Sequence, residues 1–135
     1  MKKVLLCGIA AGAVVSVLCY GGLYLCIRWF PALFESYMNP LFHSDGSRDV
    51  FFYTHAVIIC LALSWFWQRF KTMFKGNLFI RGIEFGVVYA IVALLPVMWM
   101  IYSAMDVTFI MVLTWFLYGL LQAVAAGIIF AKLNP

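Results

Sequence analysis

The chain has 135 residues, of which 67% are hydrophobic and 10% charged, and a net charge of +4. Its mean hydropathy is +1.05. Soluble domains are about 45–50% apolar and about 25% charged, so this chain in water would expose large apolar patches and aggregate. The length allows one domain, residues 1–135, and the composition points to the bilayer as its solvent.

A membrane-crossing helix needs roughly 20 apolar residues, and each such segment must satisfy its own backbone groups. Four stretches meet this requirement: Val4–Ile27, Val50–Trp67, Ile80–Tyr102 and Val107–Ala131. The expectation is an all-α integral membrane protein, a four-helix bundle. The apolar run of the first stretch continues about two turns past "AGA" at Ala11–Ala13, which argues for a retained span over a cleaved signal peptide.

The first span repeats Gly8, Gly12, Val15, Cys19, Gly22 and Cys26 in a seven-residue rhythm. Small residues let backbones approach closely in lipid, so this row is expected to form a packing seam along the whole helix.

Arg28–Asp49 is the long connection. Within it, "PALFESYMN" starts on Pro31 and stops before Pro40. Leu33, Phe34, Tyr37 and Met38 share a face at helical spacing. A short helix lying in the membrane–water interface is expected there, either as a connector or as a lid or docking surface. "SDGSRD" then turns the chain into the second span. His43, Asp45, Asp49 and His55 match no metal-ligand spacing. His55 is expected to face other helices near the outer interface.

Lys2, Lys3, Arg69, Lys71, Lys75, Arg81 and Lys132 all fall on one side of a four-span chain. Basic residues mark the cytoplasmic side, so both termini are expected in the cytoplasm, most simply at a bacterial inner membrane. Their placement at helix ends excludes a nucleic-acid-binding patch. Trp29, Phe30, Phe51, Tyr53, Trp99 and Tyr102 read as the outer aromatic belt, with Trp65, Trp67 and Phe70 as the inner one.

The third span opens on "FIRGIEFGVVYA". Glu84 is read there as a shallow carboxylate in the first turn, favoured by the helix dipole and in reach of Arg81 three residues earlier. Gly82 and Gly86 form a small-xxx-small step on the side away from Glu84, which gives this helix two contact faces. Pro96 cannot donate to Val92 and is expected to kink the helix. In the fourth span Trp115, Gly119, Gln122, Ala123 and Ala126 share a broad face. An unpaired amide at this depth is costly, and the Tyr89 hydroxyl is the expected partner of Gln122.

Cys7, Cys19, Cys26 and Cys60 form no Cys-x-x-Cys pair and read as small packing residues. No phosphate-binding, nucleophile-elbow or metalloprotease motif occurs, and no cofactor is implied. The leading expectation is a non-enzymatic accessory or scaffolding subunit. It would meet membrane lipids and either copies of itself or other membrane protein subunits. The alternative is a small transporter or channel subunit that uses Glu84, Gln122 and Tyr89 as polar lining.

Overall fold

The computed structural model describes residues 2–35, 37 and 46–135. The described residues are helical, with α1 at Lys2–Trp29, α2 at Pro31–Glu35 and α3 at Asp49–Phe70. The third long helix runs Leu78–Ala104. Its halves, α4 at Leu78–Tyr89 and α5 at Leu95–Ala104, are joined by a π-helical turn over Ala90–Leu94. Helix α6 spans Phe109–Leu133. Four of these helices are long and apolar enough to cross a membrane. Each contains its expected span and extends it by a few residues, except that α6 starts at Phe109 where Val107 was expected. Of the expected helix in the long connection, α2 supplies Pro31–Glu35; Met38, Asn39, His43 and Asp45 lie outside the described residues.

Two close pairs build the bundle, α1 with α3 and α4 with α6, and α6 also reaches α1, α3 and α5. Glycine sets both close approaches. A Cβ on Gly8 would lie 3.0 Å from the Leu61 Cα, and one on Gly12 would lie 3.0 Å from the Val57 Cα. Between α4 and α6 the fit is tighter. A Cβ on Gly82 would lie 2.7 Å from the Ile128 amide nitrogen, and one on Gly127 would lie 2.9 Å from the Gly82 carbonyl oxygen. Gly119, Ala123, Gly127 and Ala131 repeat every fourth residue, all buried, and give α6 a nearly bare stripe.

The α1 seam stops short of its expected length. Cys7, Gly8, Ala11, Gly12, Val15 and Cys19 are buried, but nothing lies within 4 Å of a Cβ built on Gly22, and Cys26 is exposed. Tyr20 is the physical reason. Its ring stands between α1 and α3, 5.1 Å from the Tyr53 ring and 6.3 Å from that of Phe52. Its hydroxyl donates to the Tyr53 carbonyl at 2.5 Å. A ring of that size holds the helices apart beyond this point, where a row of small residues alone would have let them close.

The chain is most compact at its basic end. Trp67 is fully buried there among Phe74, Phe85 and Phe130. It stacks on Phe74 at 5.5 Å and meets Phe85 edge-on at 5.3 Å. Trp67, expected in the inner aromatic belt, faces the bundle interior, because the α3–α4 turn folds Phe74 back over its ring. Gly76, at φ +106°, makes that turn, and Asn77 caps α4 by accepting from the Ile80 amide at 2.9 Å.

Polar groups close this end. Trp67 Nε1 donates to the Asn134 carbonyl at 2.9 Å. Asn134, itself buried, donates to Gln68 Oε1 at 2.6 Å and accepts from Lys71 Nζ at 3.0 Å. Ser64 donates to the Val4 carbonyl at 2.8 Å and fixes the start of α1 beside α3. Asn134→Ala is expected to cost about 1 kcal/mol for the lost side-chain bonds, read as a lower midpoint in thermal unfolding in detergent.

Candidate functional site

Away from the basic end the packing opens into a cavity of about 300 Å³. All four long helices contribute to its wall. Cys19 and Tyr20 come from α1, and Phe52, His55, Ala56 and Ile59 from α3. The third long helix supplies Tyr89, Leu94 and Met98, and α6 supplies Trp115, Tyr118, Gly119 and Gln122. Among the described residues, no Asp, Glu, Lys or Arg belongs to this lining.

Local chemistry explains why the space lies here. Pro96 has no N–H, and the helix before it adopts a π turn in which the Leu95 amide bonds back to the Ala90 carbonyl. This wider turn answers the kink expected at Pro96, with the displaced bonds absorbed just ahead of the proline. Such turns recur at functional positions. Leu94, the last residue of the turn, packs over Gly119, where an added Cβ would lie 2.9 Å from the Leu94 Cδ1. The Tyr20 wedge opens the opposite wall.

Gln122, 3% exposed, donates from Nε2 to the Cys19 thiol at 3.2 Å. This replaces the expected bond to Tyr89. The two helices do bring Tyr89 and Gln122 to one cavity, but the amide bonds to Cys19 of α1 instead. Thiol sulfur is a weak acceptor, so the amide is modestly satisfied. Tyr118 lies beside both Cys19 and Gln122. The Tyr89 hydroxyl and the His55 ring form no hydrogen bond among the described residues. His55 is exposed on α3 while lining the cavity, so it stands at a mouth. At the same level Trp115 Nε1 donates to the Tyr37 hydroxyl at 2.5 Å, and Tyr37 stacks on Phe34. The long connection is thereby tied to the cavity wall.

Glu84 and Arg81 part company. Because α4 starts at Leu78, Glu84 sits in the second turn, beyond the end of the dipole that was expected to favour it. Glu84 is exposed, on the side away from the buried Gly82 and Gly86, and is not part of the cavity wall. Arg81 turns toward the bundle instead. Its guanidinium lies 5.1 Å from the centre of the Trp67 ring and its Nη2 donates to the Lys71 carbonyl at 3.4 Å. Among the described residues the two charges form no ion pair. An aromatic face and a carbonyl near the α3–α4 turn outcompete a carboxylate that points outward.

Sequence reasoning singled out His55, Tyr89 and Gln122 but missed Tyr20, Tyr118 and Cys19 as their neighbours. Tyr118 and Gln122 stand four apart on one helix, which is a legible signal. The α1 contribution carries none, because its depth against α6 is fixed only by packing.

No protein-family model matches the chain, and comparisons with curated proteins and with solved structures return no significant match.

Proposed function

We propose that the protein is a non-enzymatic subunit of a membrane assembly. Its four long helices span a bacterial inner membrane with both termini in the cytoplasm. It associates through the outward face of α4 and α5, with a second copy or with a larger membrane complex. The observation that carries this reading is the division of labour on α4. Gly82 and Gly86 are spent on α6 within the chain, whereas Ile83, Glu84 and Val87 are exposed and no residue of α5 is buried. The placement in lipid is supported by bare apolar side chains around the bundle, such as Leu121 at 68% exposed and Val92 at 69%. The orientation is supported by the cations, since the start of α1, the α3–α4 turn and the end of α6 meet at one end.

Native mass measurement after gentle extraction tests the association. An oligomer or a co-purifying membrane protein, reduced by Glu84→Gln or Ile83→Trp, is expected; free monomer alone from every extraction overturns the reading. A cysteine placed at Lys75 that reacts only with reagents outside the cell overturns the orientation.

The cavity favours a second reading, a small transporter or channel subunit lined by Gln122 and Tyr89. Glu84 would then act apart from the cavity, and flux in proteoliposomes that vanishes with Glu84→Gln is the result this reading needs.

A further inference from the structure

We propose that the cavity shared by the four long helices is a binding site for a neutral, ring-bearing, carbonyl-containing molecule that reaches it from the membrane. The proposal rests on the placement in lipid and not on the association described above.

A space of about 300 Å³ lies at the lower end of the roughly 300–1,000 Å³ found for small-molecule sites, which suits a compact one- or two-ring body. Among the described residues no ionised Asp, Glu, Lys or Arg reaches the wall, so a charged ligand would lose its hydration without compensation. The lining also sets the shape of the occupant. Tyr20, Phe52, Tyr89, Trp115 and Tyr118 offer rings for edge and face contacts.

The polar groups then select the functional group. Tyr89 brings a hydroxyl that makes no hydrogen bond among the described residues. Gln122, 3% exposed, directs an amide N–H at a thiol at 3.2 Å and lies beside the Tyr118 hydroxyl. A carbonyl oxygen is a far better acceptor than that sulfur. A free hydroxyl and a weakly satisfied amide inside an apolar wall favour a ligand that brings oxygen lone pairs. His55 at the mouth adds a further ring nitrogen on the entry side. Access from the membrane agrees with that mouth opening on the exposed flank of α3.

The experiment uses the full chain in lipid nanodiscs and a 1,4-naphthoquinone carrying a photoactivatable diazirine. Crosslinked peptides are mapped by mass spectrometry, and unlabelled naphthoquinone and naphthalene serve as competitors. The expected result is labelling centred on the α3 and α6 segments around His55–Ile59 and Trp115–Gln122, competed by naphthoquinone and not by naphthalene. Tyr89→Phe removes one oxygen and leaves the ring in place. It is expected to weaken competition about fivefold, the weight of one net hydrogen bond. Gln122→Leu should act in the same direction, with an unchanged thermal midpoint for Tyr89→Phe certifying that the fold is intact. Labelling spread evenly over the lipid-facing surface overturns the site. Equal competition by naphthalene, or unaltered binding in both variants, overturns the assignment of a carbonyl-bearing ligand.

Discussion

Replacing Gly86 with leucine is expected to destabilise the native bundle strongly. A single Cβ at this position would already stand 2.9 Å from the Val124 amide nitrogen and 3.0 Å from its Cα. Those are backbone atoms of α6, so no rotamer change relieves the clash. The helices must separate, and the separation breaks the contacts of Gly82 with Ile128 and of Gly127 with Phe85. Overpacking of this kind costs about 3 kcal/mol, a large share of a net stability on the order of 5–15 kcal/mol. The measurement is thermal unfolding of the detergent-solubilised protein, with size-exclusion chromatography afterwards to detect aggregates. Gly22→Leu is the matched control. Nothing stands within 4 Å of its Cβ position, so its midpoint is expected to stay at the wild-type value. A full loss at Gly22 would mean that the far part of α1 closes on a neighbour after all.

The second large effect is expected at Trp67. Its ring is fully buried and touches Phe74, Phe85 and Phe130. Trp67→Ala leaves a large hole in that cluster and is expected to cost about 4 kcal/mol. The variant also takes the aromatic face from the Arg81 guanidinium, which keeps its bond to the Lys71 carbonyl while its Nε is buried and without a partner among the described residues. Trp67→Phe separates the contributions. It keeps most of the packing and loses the bond to the Asn134 carbonyl, for an expected cost of about 1 kcal/mol. Unfolding curves for the two variants, recorded side by side, check the difference. Similar losses in both would assign the stability to the hydrogen bond and not to the ring.

These positions mark where sequence reasoning reaches and where it ends. The four long helices were legible because hydrophobic length is a one-dimensional property. The glycines of α4 were legible too, since a four-residue step needs no knowledge of the partner. Which helix would fill the step was not written there. The α6 stripe that meets it runs through Gly127 and Ala131, beyond the Gly119, Ala123 and Ala126 face that the sequence suggested. The α1 seam failed at Gly22 because a seven-residue pattern records small residues and is blind to a tyrosine beside it. The candidate site was only half legible. His55, Tyr89 and Gln122 are polar residues in apolar segments and attract notice singly. Their convergence depends on helix rotation, and Cys19 became the partner of Gln122 through the docking of α1 on α6.

The wide turn at Ala90–Leu94 has a consequence for registry. A five-residue backbone bond accommodates one residue beyond the normal α-helical count. Each added residue swivels the rest of the helix by about 100°. The two halves of the third long helix therefore keep separate azimuths. The first half directs Gly82 and Gly86 at Ile128 and Val124, while the end of the turn and the second half direct Leu94 and Met98 into the cavity. In an uninterrupted helix of the same sequence, one orientation would have to serve both tasks. The extra residue frees the hollow wall from the alignment that the glycine contact imposes.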